Sequence, residues 1–229
     1  MKLSGEQFAG SREHGIDPEF VSRLALEIKD LVQETGVQLA IVIGGGNFMR
    51  GASIAAHGIE LATGDYMGML ATVLNGMALV DILEHHGQPA RLMTRLTMTS
   101  VAEPYIRRRA LRHMEKGRVV IIGGGTGSPF VTTDTAAASA ALELEAEIVM
   151  KATKVDGVYD MDPNKFPEAV HQEYMSYIEA LTNENVKVMD SAAISLAMDH
   201  HLPIVVFDLL KQGNIKRVVL GEKVGTLIS

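Results

Sequence analysis

Cysteine and tryptophan are absent from the chain, and only 5% of its 229 residues are aromatic. Without cysteine there is no disulfide framework, no thiol nucleophile and no thiolate metal site, which fits a reducing cytosol. No uninterrupted apolar run approaches the roughly 20 residues needed to span a bilayer, and the N-terminus lacks the apolar region of a signal peptide. The sequence therefore predicts a soluble, cytoplasmic protein with no membrane contact.

Several ligand-binding signatures are also missing. The net charge of −7 argues against broad binding to nucleic acid, although a local positive pocket could still hold a small anion. G-x-G-x-x-G is absent because position 49 is Met and position 128 is Ser, which disfavours a dinucleotide oxidoreductase. G-x-x-x-x-G-K-[ST] is absent too, which excludes a P-loop kinase. The pairs His85-His86 and His200-His201 are expected at helix ends or on the surface, because adjacent histidines cannot both point into one metal site from a helix. No protein ligand for a metal is predicted.

Short β-branched apolar runs alternate with longer segments of helical spacing. The runs are 38–43, 118–122, 146–150, 203–207 and 226–228. Buried strands that alternate with helices predict an α/β fold with a mainly parallel sheet. No repeat or linker divides the chain, so one domain over residues 1–229 is expected.

Helix signals are local. The first long helix is predicted to have Asp17 as its N-cap residue and Pro18 in its first turn, and to end at Gly36. The residues expected to face the core there are Phe20, Leu24, Ile28 and Leu31.

Three further helices are expected. A second helix is predicted to begin at Asp65. Its core-facing residues are predicted to be Met67, Leu70, Leu74 and Met77. A third helix is expected from about 133 to 144, and Asp190 with Ser191 is expected to cap a fourth.

Three glycine clusters favour phosphate chemistry. Gly44 to Gly46 and 123–127 each follow a buried strand, and Ser4-Gly5 follows Lys2 at the N-terminus. Glycine allows the backbone N–H groups to approach a phosphate closely. One such turn is more often ordinary turn chemistry, but two triple-glycine turns followed by Arg or Thr favour a phosphate site. Since phosphoryl transfer needs mainly positioning and positive charge, the residues favour a phosphotransferase.

Ordered motifs extend along nearly the whole chain. They are KLSGE at 2–6, VIGGGNFMRG at 42–51, GDYMGMLATVLNGMAL at 64–79, GTGSPFVTTD at 125–134, KATKVDGVYDMDP at 151–163, VMDSAA at 188–193 and GEKVGTLI at 221–228. With them the chain closely resembles the bacterial UMP kinases of the amino acid kinase superfamily. The resemblance implies a three-layer α/β/α sandwich with a mainly parallel central sheet, whose first strand is truncated here. It also implies transfer of the γ-phosphoryl of ATP to UMP with Mg²⁺, giving ADP and UDP in pyrimidine nucleotide biosynthesis.

The same resemblance implies the site residues. ATP would be bound by Lys2, Leu3, Ser4, Gly5, Gly46, Arg50, Thr153, Tyr159 and Asp162. UMP would be bound by Gly45, Asp65, Thr126, Gly127, Ser128, Pro129, Phe130, Val131, Thr132 and Thr133. The catalytic residues would be Lys2, Arg50 and Asp134. Each of four residues has a structural alternative. Asp134 could equally be the N-cap residue of a helix, and Asp65 could serve only as a helix cap. Tyr159 could pack in the core, and Asp162 could belong to an ordinary turn.

The family resemblance also bears on assembly, regulation and alternative functions. It implies a homohexamer with GTP activation and UTP inhibition. Ser128 stands where many relatives have Asn, and the segment 10–15 differs from one linked to GTP activation in some relatives. Two alternatives remain: a related kinase that acts on CMP or a small carboxylate or carbamate, and a non-catalytic binder of nucleotides or metal oxyanions. The molybdenum storage proteins are similar to UMP kinases and exemplify the second.

Overall fold

The computed structural model describes residues 1–49, 58–161, 163, 165–183 and 188–229. Arg50, Gly51 and Asp162, which belong to the predicted motifs, lie outside these described residues. Two compact units are present: the N-terminal unit, residues 2–133, and the C-terminal unit, residues 134–229 with Met1. The single domain expected over 1–229 stays a prediction.

The N-terminal unit contains a parallel sheet. Its strands are β1 (Lys2–Leu3), β2 (Ala40–Ile43), β3 (Ala90–Thr94), β4 (Glu103–Pro104) and β5 (Val119–Gly123), in the order β4-β3-β5-β2-β1. Every pair in this order is parallel. The runs predicted near 38–43 and 118–122 are confirmed. β1 has two residues, and its register places Lys2 opposite Val42 and Leu3 opposite Ile43.

The helices of this unit are α1 (Gly5–Phe8), α2 (Pro18–Thr35), α3 (Leu61–His85) and α4 (Arg107–Glu115). The prediction for α2 is confirmed. Asp17 accepts hydrogen bonds from the N–H groups of Glu19 and Phe20, and Gly36 ends the helix at φ 68°. The four residues expected to face the core are all buried.

The Asp17 cap makes the stability of α2 depend on pH. Burial alone would raise the pKa of Asp17, but the N–H groups of Phe20, Ser11 and Glu19 and the charge of Arg12 together lower it below its usual 3.8. A carboxylate with a lowered folded pKa stabilises the fold above its unfolded pKa, and that stabilisation is lost as the pH falls through the folded pKa.

We therefore expect Asp17→Ala to lower the Tm by a few degrees at pH 7. The difference from the unmodified protein should shrink on acidification below about pH 4, where the carboxylate becomes protonated. Thermal unfolding followed by circular dichroism between pH 7 and pH 3 measures it. Asp30→Ala, at an exposed position within α2, is the control. A Tm difference that does not change with pH would contradict this account.

The prediction for α3 is wrong in two respects. The helix begins at Leu61 rather than at Asp65, with Glu60 as the N-cap residue. Leu70, Leu74 and Met77 are 45%, 49% and 41% exposed, so they do not face the core. The buried residues are Gly64, Met69, Ala71, Thr72, Val73, Asn75, Gly76, Leu79 and Leu83. The apolar residues of α3 are distributed over all of its faces, so their spacing in the sequence does not indicate which face is buried.

By length and composition, α3 is also the one helix among the described residues that could cross a membrane. Gly, Thr, Asp and Asn interrupt this segment, so its sequence contains no long uninterrupted apolar run. Core helices of soluble proteins pass the same test. The buried residues of α3 pack within the N-terminal unit, so the helix has the character of a core helix.

The C-terminal unit contains a mixed sheet. Its strands are β6 (Val149–Thr153), β7 (Val158–Tyr159), β8 (His171–Gln172), β9 (Tyr174–Met175), β10 (Ile204–Asp208) and β11 (Thr226–Ile228). In the order β6-β10-β11-β9, the first and last pairs are parallel and the middle pair is antiparallel. β7 and β8 form a separate antiparallel pair.

The helices of the C-terminal part are α5 (Thr133–Glu143), α6 (Tyr177–Thr182), α7 (Ser191–Asp199) and α8 (Asn214–Val219). The predicted cap of α7 is confirmed: Asp190 accepts from the N–H of Ala193 at 2.8 Å. Asp190 also accepts from the hydroxyl of Thr135 at 2.7 Å, which ties α5 to α7. The predicted fold class, an α/β/α architecture with a mainly parallel sheet flanked by helices, is confirmed.

Candidate functional site

Two glycine-rich loops of the N-terminal unit lie against each other. We call Ser4-Gly5 the first loop and residues 44–47 the second loop. The N–H of Gly44 donates to the carbonyl of Leu3 at 2.8 Å. A Cβ atom on Gly5 would lie only 2.5 Å from the nitrogen of Gly46, so only glycine allows this approach. The contact brings together Leu3, Gly5 and Gly46, three of the predicted ATP-binding residues.

Lys2 precedes the first loop and lies in β1. It is 8% exposed, which is unusual for a lysine. β1 pairs in parallel with β2 and its register places Lys2 opposite Val42, two residues before the second loop begins, so Lys2 lies near the carboxyl ends of both strands. In open α/β sheets, ligands bind at the carboxyl ends of the strands. The structure thus places the predicted cation where such a ligand would bind.

The second loop packs closely on α3. A Cβ atom on Gly45 would lie 2.5 Å from the carbonyl oxygen of Gly68 and 2.9 Å from the Cβ of Ala71. Both neighbours are fixed by the helix and cannot move aside alone. Only a glycine at position 45 therefore allows the second loop to lie this close to α3.

Two polar side chains on the buried face of α3 reach the loops. Asn75 donates to the carbonyl of Gly44 at 2.8 Å and exchanges two hydrogen bonds with the side chain of Asn47. Thr72 accepts from the N–H of Gly124 at 2.7 Å. Both residues lie in the sequence motifs, but no role was predicted for either. A signal was present, since Asn75 is a lone amide in an apolar helix.

The third loop, residues 124–133, is bound to Asp65. The N–H of Phe130 donates to Oδ2 of Asp65 at 2.8 Å, and Phe130 has φ 66° and is 73% exposed. A positive φ in a non-glycine residue marks a strained loop that its surroundings hold in place. Asp65 lies within α3 and does not cap it, so the capping alternative is wrong. The structure brings together the predicted ribose-binding carboxylate and the predicted UMP loop.

Within the third loop, Ser128 forms a turn with Thr126. The N–H of Ser128 donates to the hydroxyl of Thr126 at 3.3 Å, and that hydroxyl donates to the carbonyl of Ser128 at 3.1 Å. The backbone of residue 128 makes both bonds, so this turn does not depend on its side chain. Other residues of the loop, Val131 and Thr132, are exposed.

In the C-terminal unit, Asp134 forms an ion pair with Lys151. Oδ2 of Asp134 lies 2.7 Å from Nζ of Lys151, and both side chains are largely buried. Asp134 is in the first turn of α5, which begins at Thr133, so it is not the N-cap residue. The described residues contain no group of three or more His, Asp or Glu side chains that could hold a metal ion. One carboxylate suits Mg²⁺ that arrives with nucleotide phosphates better than an ion held by protein alone.

Thr153 and Tyr159, the other predicted ATP-binding residues that are described, also lie in the C-terminal unit. The hydroxyl of Thr153 donates to the carbonyl of Val155 at 2.6 Å. The hydroxyl of Tyr159 donates to Asp156 at 2.6 Å, and this bond, with burial and the charge of Asp156, raises the pKa of Tyr159. The ring of Tyr159 contacts His171 edge to face at 5.3 Å. Tyr159 is therefore held in one orientation.

The chain has clear relatives. A sequence model of the amino acid kinase family matches residues 1–208. The UMP kinase of Bacillus anthracis superimposes with a TM-score of 0.94 at 38% identity, covering 100% of this chain and 93% of that one. The UMP kinase of Ureaplasma parvum gives 0.92 at 32% identity, covering 100% and 96%. The uridylate kinase of Archaeoglobus fulgidus gives 0.77 at 28% identity, covering 100% and 99%. The chain therefore belongs to the amino acid kinase family and, within it, groups with the UMP kinases.

Proposed function

We propose that the chain is a UMP kinase, which transfers the γ-phosphoryl of ATP to UMP and releases ADP and UDP, a step of pyrimidine nucleotide biosynthesis. The observation that carries the proposal is the arrangement of the N-terminal unit. There, α3 binds the second loop through Asn75, the third loop through Thr72, and Phe130 through Asp65. Full-length similarity to two UMP kinases at 38% and 32% identity supports the choice of UMP.

The loops divide the substrates between them. The first loop and Gly46 bind the ATP phosphates, Gly45 lies at the UMP side, and the third loop binds uracil and the α-phosphate. Asp65 accepts hydrogen bonds from the ribose hydroxyls. Its Oδ2 already accepts from the N–H of Phe130, and its other carboxylate oxygen can accept from the ribose. These roles rest on the family resemblance together with the positions of the loops.

The chemistry is a direct transfer. An oxygen of the UMP phosphate forms a bond to the γ-phosphorus, and the bond from that phosphorus to the bridging oxygen breaks, leaving the electron pair on ADP. The attacking oxygen is already anionic, so no strong general base is needed. Lys2 and the loop N–H groups stabilise the charge of the transferring group. Arg50 is expected to assist, although it lies outside the described residues.

Mg²⁺ is the proposed cofactor. It would accompany the ATP phosphates, and Asp134, which forms an ion pair with Lys151, is the carboxylate proposed to help hold it. When bound, it neutralises phosphate charge during transfer. Thr153, Tyr159 and Asp162 are proposed to hold the ATP nucleoside, with Asp162 outside the described residues.

Asp65→Ala tests the UMP site. We expect the KM for UMP to rise by about 10-fold or more, because the variant loses the ribose acceptor and releases the N–H of Phe130. The KM for ATP should change little. Initial-rate kinetics with each substrate varied in turn measures both constants. Asp30→Ala, an exposed carboxylate of α2, should leave both values unchanged. Equal rises in both KM values would remove Asp65 from the UMP site.

We propose further that the protein is cytoplasmic and assembles as a homohexamer, with GTP as activator and UTP as inhibitor. The exposed apolar residues Leu70, Leu74 and Met77 on α3 support self-association, since monomers rarely expose such a face. The hexamer and its effectors otherwise rest on the family resemblance. Light scattering coupled to gel filtration tests the assembly, and a monomer would contradict it.

A further inference from the structure

We propose that Thr72 and Asn75 are positioning residues that set the two substrate loops independently, Asn75 the second loop and Thr72 the third. The inference rests on the proposed function for the substrate that each loop binds. It rests on the structure alone for the link between each side chain and its loop.

The amide of Asn75 is fully committed to the second loop. One N–H donates to the carbonyl of Gly44 at 2.8 Å, and the other donates to Oδ1 of Asn47 at 2.7 Å. Asn47 returns a bond to Oδ1 of Asn75 at 2.9 Å and gives its second N–H to the carbonyl of Gly15 at 2.7 Å. Asn75 is 0% and Asn47 3% exposed. All four amide hydrogens of the pair are therefore used, and water does not compete for them.

The backbone of Asn47 adds to this anchorage. Its carbonyl accepts from the N–H of Gly15 at 2.9 Å, so two bonds join residue 47 to residue 15. The second loop is thus held between α3 and the segment that precedes α2. Removing the amide of Asn75 would free the carbonyl of Gly44 and break the reciprocal pair at once.

Thr72 makes a separate link. Its hydroxyl donates to the carbonyl of Met69 at 2.6 Å, and this leaves the oxygen oriented to accept from the N–H of Gly124 at 2.7 Å. The residue is 2% exposed. Gly124 begins the third loop directly after β5, so this bond fixes the direction in which the loop leaves the sheet.

The two links are independent because they share no atom. Thr72 and Asn75 are three residues apart, so they lie on the same face of α3. Each side chain forms its hydrogen bond with a different loop, and none of the hydrogen bonds described above joins the two sets. A change at one position should therefore loosen one loop, whereas a general loss of packing in α3 would affect both.

Steady-state kinetics on four variants tests this. Thr72→Val removes the hydroxyl and keeps the shape, so the KM for UMP should rise about 3–10-fold, as expected for one lost hydrogen bond, with the KM for ATP nearly unchanged. Thr72→Ser keeps the hydroxyl and should restore the KM for UMP. Asn75→Ala should instead raise the KM for ATP and lower kcat by about 10-fold, with a smaller rise in the KM for UMP, because Gly46 of the second loop lies at the ATP phosphates and only Gly45 lies at the UMP side. Leu79→Ala, a buried apolar position of the same helix, should lower the Tm without separating the two KM values.

Equal rises in both KM values for Thr72→Val and Asn75→Ala, or a Thr72→Ser variant that behaves like Thr72→Val, would overturn the inference. If Asn75→Ala does not fold, Asn47→Ala removes the other half of the same amide pair. It should give the same changes in the KM for ATP and in kcat.

Amide hydrogen exchange of the ligand-free protein separates this inference from the proposed function. Thr72→Val should speed exchange in residues 124–130 and leave residues 44–48 unchanged, and Asn75→Ala should do the reverse. That pattern would support the links even if the unmodified protein released no ADP with UMP, a result that would refute only the proposed function. Faster exchange in both loops for either variant, or in neither, would refute the links.

Discussion

Lys2→Met is expected to lower kcat by about 10²–10³-fold, comparable to the loss of one group that stabilises transition-state charge in other enzymes. Lys2 is the cation that the structure places in β1, two residues before the first loop, and β1 pairs with the strand that leads into the second loop. A methionine keeps an unbranched apolar chain in a site that is 8% exposed, so the packing should survive. The KM values should change less than kcat, because the charge of the transferring group develops mainly in the transition state.

The measurement is kcat at saturating ATP and UMP, with thermal unfolding as the check on folding. Lys223→Met, at an exposed position, is the matched control and should retain the unmodified kcat. If Lys2→Met folds normally and keeps kcat within about threefold, Lys2 is not the charge-stabilising group that this account requires.

Gly45→Ala is expected to lower kcat/KM by about 10²-fold, a loss typical of a displaced reacting group. The new Cβ would lie 2.5 Å from the carbonyl oxygen of Gly68 and 2.9 Å from the Cβ of Ala71. Since both atoms belong to α3, the second loop must move away from the helix, and its hydrogen bond from Asn75 must lengthen. The Tm should also fall, because overpacking of this kind costs about 1–3 kcal/mol.

Gly68→Ala is the control for this prediction. A Cβ on Gly68 meets no atom within 4 Å, and alanine favours a helix, so the Tm should stay equal or rise. A Gly45→Ala variant with unchanged kcat/KM and Tm would show that the second loop is not held at this distance.

The sequence predicted the elements whose signals are local. Asp17, Pro18 and Gly36 mark the ends of α2 because capping and turn preferences act within a few residues. The glycine clusters were located correctly for a similar reason, since each directly follows a buried strand. The resemblance then supplied the roles, and it assigned both Asp65 and the third loop to UMP.

Features that depend on long-range contacts were not predictable in this way. The buried face of α3 is set by the surface against which it packs, and its apolar residues lie on every side. β3 was missed because Arg91 interrupts its apolar run. The bonds from Thr72 to Gly124 and from Asn75 to Gly44 span 52 and 31 residues, so no local pattern indicates them. The ion pair of Asp134 with Lys151 crosses 17 residues in the same manner.

The most direct test of the central claim is the initial rate of ADP release from ATP and Mg²⁺ with UMP, CMP, carbamate or glutamate as the acceptor. This account predicts a rate that depends on UMP, exceeds the rate with each other acceptor, and collapses in Lys2→Met. A preference for another acceptor would identify a related kinase instead. Binding of ATP without any UMP-dependent release of ADP would contradict the proposed function and identify a non-catalytic binder.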